Sequence, residues 1–198
     1  MGVIEQWKVS LEEIDEVVTA NPSLRGFLFG YLNEYKLRKM WFTDPRIQDL
    51  KKYDNHDRSH KGDLSFHYQS VELRVECKGL QTNSVKKTEE GDVGKFQCDA
   101  SDRRKVTLPN GRKIETTCLL VGEFDLLAVG IFEFGQEWRF AFAKNQDLPR
   151  TRSKKYSEKQ RQYLLATTME ITWPLQPPFE AEPFKLIEVL AKEKNKKG

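Results

Sequence analysis

Apolar residues recur every three or four positions in the first forty residues, which is the spacing typical of helices. The capping-box pattern Ser10-Leu-Glu-Glu13 predicts the start of a short helix, and Asn21-Pro22 predicts its end. Ser23 can cap a longer helix that runs to about Met40. The apolar residues that predict a buried face on this helix are Phe27, Leu28, Tyr31, Leu32 and Tyr35.

From Asp63 the apolar spacing changes to two, which is the period of a strand with one buried face. Two such runs flank Gln69-Ser70, so we predict two antiparallel strands joined by a tight turn. Their apolar positions are Leu64, Phe66 and Tyr68, followed by Val71, Leu73, Val75 and Cys77.

Turn-forming residues divide the rest of the chain. Asn110-Gly111 predicts a hairpin between strands at 104–108 and 113–120. We expect loops where no periodicity is visible, and further strands where it returns. The loops are predicted at 51–62 and 81–95, and the strands within 124–134 and 138–143.

Helices are predicted again near the end of the chain. A second capping box, Ser157-Glu-Lys-Gln160, predicts a helix to about Glu170, and 184–191 predicts a short terminal helix. The order of helices, strands and helices favours a mixed α+β (α/β) fold with a central mixed β-sheet flanked by helices. We therefore expect one domain over 1–183, with a terminal helix and basic tail over 184–198.

Composition and charge narrow the class of protein. With 38% hydrophobic and 11% aromatic residues the chain can form a core, so disorder is excluded as a description of the whole. There is no apolar run of about 18 residues and no secretory signal pattern, and the three cysteines form no CxxC pair. We expect a cytoplasmic protein without a membrane span. The 33 Lys and Arg against 30 Asp and Glu give a net charge of +3, too small to indicate nucleic-acid binding by itself.

The predicted hairpin around residue 70 carries the candidate chemistry. Because alternate residues of a strand face the same side, Glu76 and Lys78 share one face, while Cys77 faces the other. Asp63 begins the preceding strand, and hairpin pairing can bring its carboxylate near both residues. Two carboxylates suit a hard divalent cation such as Mg²⁺, with a substrate phosphate completing its shell, and an adjacent lysine can position or deprotonate the attacking water.

This pattern resembles the PD-(D/E)xK nuclease superfamily, in its restriction-endonuclease-like branch. The resemblance is carried by Gly62-Asp63-Leu-Ser-Phe66, Val75-Glu76-Cys-Lys78 and Glu123-Phe-Asp-Leu-Leu-Ala-Val129, and the order of elements matches over about 23–172. The sequence departs from the family where Lys61-Gly62 replaces the proline that names its first element. Asp54 and Asp57 therefore remain alternatives to Asp63 as the first acid.

The resemblance implies roles for individual residues. Asp63 and Glu76 would ligate Mg²⁺, or Mn²⁺ in its place, together with the backbone carbonyl of Cys77, and Lys78 would act on the water. Glu34, on the long helix, would point toward the metal, and Gln81 would touch substrate or metal-bound water. For each of these residues an ordinary structural role is the alternative, such as solvation of an exposed strand or helix face.

A basic segment at 150–161 suggests a surface for DNA. Its cations outnumber its one acid, Glu158. Contacts between such cations and DNA phosphates position DNA without reading its sequence. The segment also leads into a predicted helix, whose N-terminal amides can receive phosphate. The cations are Arg150, Arg152, Lys154, Lys155, Lys159 and Arg161.

These observations predict a magnesium-dependent deoxyribonuclease, an endonuclease of the restriction or DNA-defence type, with DNA as its partner. A small enzyme with one active site commonly cuts both strands as a dimer, so a homodimer is consistent with this prediction. The alternatives are a catalytically inactive DNA-binding module of the same fold, and a structural protein in which the motif is accidental.

Overall fold

A computed structural model describes residues 1–53 and 61–196 of the chain. In this part the helices are α1 (Val3–Trp7), α2 (Leu11–Ala20), α3 (Pro22–Trp41), α4 (Glu158–Arg161) and α5 (Pro183–Asn195). The strands are β1 (Gln48–Lys52), β2 (Leu64–Tyr68), β3 (Val71–Gly79), β4 (Lys86–Thr88), β5 (Gly91–Gln97), β6 (Asp99–Thr107), β7 (Lys113–Cys118), β8 (Leu126–Gly130), β9 (Phe140–Lys144) and β10 (Thr168–Trp173).

A mixed five-stranded sheet in the order β1-β2-β3-β8-β9 forms the centre of the fold. Strand β3 pairs antiparallel with β2 and parallel with β8, which places Glu76 opposite Leu127 and Lys78 opposite Val129. The other strands form a three-stranded sheet, β10-β5-β4, and a two-stranded ribbon, β6-β7. The predicted hairpin around Gln69-Ser70 is confirmed, and both turn residues have positive φ.

The two faces of the central sheet pack against different layers. On one face Val75 and Cys77 join Leu37 of α3 and Ile187 of α5 in a buried cluster. On the other face the buried side chains of β8 and β9 pack with Phe96 of β5 and other residues of the second sheet. This is the mixed α+β architecture, with a central mixed sheet flanked by helices, that the sequence predicts.

The prediction for the buried face of the long helix was wrong. The helix exists, but Phe27 is 72% exposed, and Leu28, Tyr31, Leu32 and Tyr35 are exposed as well. Asn33, Glu34 and Leu37 are buried instead. Asn33 lies against Gly79 of β3 and Gly130 of β8, where side chains larger than hydrogen would collide with it. The sheet therefore receives a partly polar face of the helix.

Two further predictions were wrong because long-range pairing decided the structure. The expected loop over 81–95 contains β4 and most of β5. The helix predicted to reach Glu170 ends at Arg161. Part of the predicted helical stretch instead belongs to β10, which begins at Thr168 and pairs antiparallel with β5. Thr168, Ile171 and Thr172 are β-branched and suit a strand, yet a partner more than seventy residues away supplies the pairing.

The other predicted helices and strands agree with the structure in kind, whereas β1 was not predicted and its last two residues lie in the expected loop over 51–62. The hairpin at Asn110-Gly111 forms between β6 and β7, with a turn over 108–112 in place of a two-residue one. The terminal helix is present and contributes Leu186 and Leu190 to the core. Within the described residues, no helix is both long and apolar enough to cross a membrane. The three cysteines are buried and unpaired with one another.

Candidate active site

The position of Asp63 is set by the glycine before it. Gly62 has φ +80°, and a Cβ there would lie 2.9 Å from the carbonyl oxygen of Val75. The amide of Asp63 donates to the same Val75 carbonyl at 2.9 Å, and its Oδ2 accepts the amide hydrogen of Cys77 at 2.7 Å. This hydrogen bond continues the β2–β3 pairing where the chain leaves the sheet, so the backbone fixes the carboxylate beside β3.

Glu76 and Lys78 lie together on the opposite face of β3 from Val75 and Cys77, as predicted from the alternation of strand residues. The Lys78 ammonium is 2.6 Å from Glu76 Oε1. Glu76 is only 8% exposed, which is unusual for a carboxylate and requires a close compensating charge. Lys78 supplies that charge.

The long helix adds a third carboxylate to this region. Glu34 is buried, and its Oε2 lies 2.6 Å from the Lys52 ammonium of β1. The helix approaches the sheet closely at Gly130, where a Cβ would collide with Asn33 Oδ1. The glycine therefore permits the packing that brings the next helical residue, Glu34, to the electrostatic neighbourhood of Asp63.

Burial and neighbouring charges shift the pKa values of this cluster. Burial raises the pKa of Asp63, against the opposing effects of Lys78 and the Cys77 amide. Burial, aided by Asp63 and opposed by Lys78, raises the pKa of Glu76 to about 7. Burial would lower the pKa of Lys78, but the adjacent Glu76 and Asp63 raise it above its ordinary value. Lys78 is therefore an ammonium at neutral pH, next to two carboxyl groups that retain protons more readily than usual.

The donor chemistry of the cluster fits a divalent metal ion. With all groups ionised, the three carboxylates of Asp63, Glu76 and Glu34 outnumber the two ammonium groups of Lys78 and Lys52, which leaves one negative charge. Mg²⁺ takes oxygen ligands, commonly one or two carboxylates, and keeps several waters. Within the described residues, no three His, Cys, Asp or Glu side chains form a ready-made metal cluster. Asp63 and Glu76 are the pair that the structure offers.

The structure separates the other predicted site residues. Gln81 lies just beyond β3 with an exposed side chain, and its backbone amide donates to the carbonyl of Lys95 at 3.0 Å. Cys77 contributes its backbone amide to Asp63, while the predicted role of its carbonyl stays a prediction. The alternative acids Asp54 and Asp57 lie outside the described residues. Gln160 accepts the Ser157 amide at 2.8 Å, which is the capping role predicted for it.

The basic segment 150–161 divides into structural and exposed cations. Arg150 donates to the backbone carbonyls of Leu148 and Gln146, so its guanidinium holds the local loop. Arg161 lies 3.8 Å from Glu158. Helix α4 is a single turn with a filled cap, which removes the reason to expect phosphate at its N-terminus. The cations left with exposed side chains are Arg152, Lys154, Lys155 and Lys159.

Sequence reasoning missed two residues that shape this site. Lys52 lies in a stretch predicted as loop, and its alternation with exposed polar neighbours gave no signal for β1. Asn33 was not considered because it is a polar residue on a helix whose apolar face is elsewhere. The glycines that accommodate it, Gly79 and Gly130, lie at strand ends. A glycine at the end of each of two predicted strands is the signal that could have indicated close helix packing.

Comparisons with known proteins give little to add to this geometry. No protein-family model matches the chain, and no curated protein matches it significantly. Among solved structures, the bacterial homing endonuclease I-Ssp6803I is similar at 16% sequence identity and a TM-score of 0.39. The match covers 69% of this chain and 86% of that one. A likeness this distant assigns neither family nor activity, so the functional argument depends on the residues of the site.

Proposed function

We propose that this protein is a magnesium-dependent endodeoxyribonuclease that hydrolyses DNA phosphodiester bonds, of the restriction or DNA-defence type. The observation that supports the proposal is the meeting of Asp63, Glu76 and Lys78 at one point of the sheet, with Glu76 buried and paired to Lys78 at 2.6 Å. Burying charged groups costs free energy. A protein that only needed a solvated strand face would gain nothing from that arrangement.

Asp63 and Glu76 would hold Mg²⁺, or Mn²⁺ in its place, with the Cys77 carbonyl as a further oxygen ligand. A bound divalent ion would supply Lewis acidity toward a phosphodiester group. The pKa of Glu76, about 7, means that the free site is partly protonated near neutrality. Binding a cation would favour the ionised carboxylates, because a positive charge stabilises their charged form.

Lys78 would orient the attacking water and offset phosphate charge as an ammonium donor. Its raised pKa argues against a free amine that removes a proton at neutral pH. Glu34, paired with Lys52, would contribute negative charge and hold β1 against α3. The contacts of Asp63 with the Cys77 amide, of Glu76 with Lys78 and of Glu34 with Lys52 support these roles.

Incubation with supercoiled plasmid and with single-stranded DNA, with magnesium or with chelator, tests the proposal. We expect magnesium-dependent cleavage by the wild type and a loss of about 100-fold or more in Lys78→Met. Lys192→Met, a change on an exposed position of α5, is the matched control and should cut like the wild type. Binding of DNA without cleavage would instead support the inactive DNA-binding module, and neither binding nor cleavage would support a structural protein.

We also propose that the chain acts as a homodimer through its N-terminal helices. Among the described residues, every exposed large hydrophobic side chain except Val189 lies within residues 1–40. Soluble monomers rarely leave such a concentration uncovered. Acidic residues are concentrated on α2, and exposed basic residues on α3, so an antiparallel second copy would match both apolar surface and charge. The charged residues are Glu12, Glu13, Asp15 and Glu16 on α2, and Arg25 and Lys39 on α3.

A further inference from the structure

A polar cleft of about 400 Å³ opens between β3, the β6-β7 ribbon and the loop over 120–123. Four basic side chains and one acid line it, which gives a net charge of +3 if all are ionised. A concave surface with this charge favours an anion. The charged lining residues are Lys61, Arg74, Arg104, Lys105 and Glu123.

Glu123 organises the floor of this cleft. It forms a two-pronged ion pair with Arg104, lies 3.5 Å from the Lys61 ammonium and accepts the Leu120 amide at 2.8 Å. These contacts satisfy the acid inside the protein and hold the loop and the ribbon in a fixed relation. Glu123 therefore positions Arg104 and Lys61, and its carboxylate partly neutralises their charges.

Two cations remain for a ligand. Within the described residues, the Arg74 guanidinium has no ion-pair partner, while its backbone is held on both sides by Asp125. Lys105 is 85% exposed, and its contact with Glu115 at 3.8 Å is loose. A guanidinium on a held stretch of backbone and an exposed ammonium suit the oxygens of a phosphate group.

Two lining residues of the cleft, Lys61 and Arg74, are close in sequence to the candidate active site. Arg74 precedes Glu76 by two residues on the same face of β3, a separation of about 6.6 Å along a strand. Lys61 precedes Asp63 by two residues. The charge of Glu123, which lines the cleft, contributes to the raised pKa of Glu76 in the candidate site. Phosphates follow one another along each DNA strand at about 3.4 Å of helix rise. If one phosphate of a DNA strand lies at Asp63 and Glu76, a phosphate one or two nucleotides along the same strand lies near Arg74.

We propose that this cleft binds a backbone phosphate of the substrate strand next to the phosphate that is cut, with Arg74 and Lys105 as its contacts. The assignment rests on the proposed nuclease function for the identity of the neighbouring phosphate. It gives the cleft a positioning role: a second anchored phosphate fixes the register of the strand over β3 without reading bases. The nucleic-acid backbone is the ligand class, because the cationic lining of the cleft offers hydrogen-bond donors to phosphate oxygens.

The test measures binding of a labelled DNA duplex by fluorescence anisotropy over a range of KCl concentrations, with chelator present. Replacing Arg74 and Lys105 with Gln should weaken binding about tenfold or more and lower the log–log salt slope by about two units. The control Lys86→Gln, Lys192→Gln removes the same charge from exposed positions elsewhere. It should leave the slope near that of the wild type. The single change Lys105→Gln, on a freely exposed side chain, should lower the slope by about one unit and cannot act by unfolding the protein.

Cleavage assays on the same proteins separate this inference from the proposed function. If the wild type cuts DNA while the cleft variant binds and cuts like the control, the cleft assignment is overturned and the nuclease stands. If the wild type never cuts but the cleft variant loses binding and salt dependence, the cleft is a site for a DNA backbone phosphate, while the nuclease and the position of that phosphate beside a cut are overturned. A cleft variant whose affinity and slope equal those of the control contradicts the assignment in either case.

Discussion

Glu76 is buried beside Lys78, and this position couples the stability of the protein to pH. Its pKa is raised from 4.5 to about 7, so the folded state holds a proton more tightly than the unfolded chain. The stability gained from that proton is present below pH 4.5 and is lost as the pH rises through 7. Asp63, whose pKa is also raised, adds a change of the same sign.

We therefore predict that the thermal stability of the metal-free wild type falls between pH 4.5 and 7.5. The fall should be smaller in Glu76→Gln. The effect of this residue is at most about 3 kcal/mol, from 1.36 kcal/mol per pKa unit. Thermal unfolding across this range measures it. Glu90→Gln, on an exposed turn, should behave like the wild type. Equal pH profiles for Glu76→Gln and the wild type would show that Glu76 has no raised pKa.

At the same scale, the sequence predicted the shared face of Glu76 and Lys78 because strand alternation is local and has a period of two, and hairpin pairing predicted that Asp63 lies near them. It could not predict Lys52 or Asn33, whose places depend on how β1 and α3 dock on the sheet. The sequence also gave no sign that the Arg150 guanidinium holds the local loop, because the carbonyls that accept its hydrogen bonds are identified only once the loop has folded.

At the scale of elements, Gly62 controls where β2 begins and hence where Asp63 points. Gly62→Ala should destabilise the protein by about 1–2 kcal/mol from the positive φ and further from the 2.9 Å approach of its Cβ to the Val75 carbonyl oxygen, and it should lower cleavage by displacing Asp63 from the Val75 and Cys77 backbone. Gly135→Ala is the matched control, because Gly135 has φ +88° but open space around its Cβ position. Denaturant unfolding and cleavage rates distinguish the two. A variant at Gly62 with normal cleavage would contradict this role.

The exposed part of the basic segment is a second element with a testable role. Replacing Arg152 and Lys155 with Ala should weaken binding to many DNA sequences by a similar factor and flatten the salt dependence by about one unit per lost contact. No preferred cleavage sequence should change, since phosphate contacts carry no base information. Binding titrations with several duplexes measure this. An unchanged salt slope would make the segment an ordinary solvated loop, and a loss at one sequence alone would make it a base reader.

Elements were predictable from sequence where local signals sufficed. The capping box at Ser10 forms as expected, with the Glu13 amide donating to Ser10 Oγ at 3.1 Å. The strands β5 and β10 were missed because each depends on the other, across more than seventy residues of chain. The one-turn α4 was extended too far because the buried Leu164 and Leu165 that follow it form antiparallel β-bridges with Leu120 and Arg150.

At the scale of the whole molecule, the exposed apolar surface of residues 1–40 predicts self-association. We expect the wild type to sediment as a dimer at micromolar concentrations, and Trp7→Glu, Phe27→Glu to sediment as a folded monomer. Val189→Glu, at the exposed hydrophobic residue outside this surface, should remain a dimer. A wild type that is monomeric at tens of micromolar would contradict the homodimer.

The central claim is that Asp63 and Glu76 hold one divalent ion beside Lys78. X-ray diffraction from crystals soaked in manganese, recorded at a wavelength where manganese scatters anomalously, tests it most directly. The account predicts one anomalous peak within about 2.1–2.3 Å of a carboxylate oxygen from each acid. The peak should be absent in Glu76→Gln crystals and retained in Glu90→Gln crystals. Wild-type crystals with no peak between Asp63 and Glu76 at saturating manganese, or with the ion bound by Asp57 in place of Asp63, would contradict it.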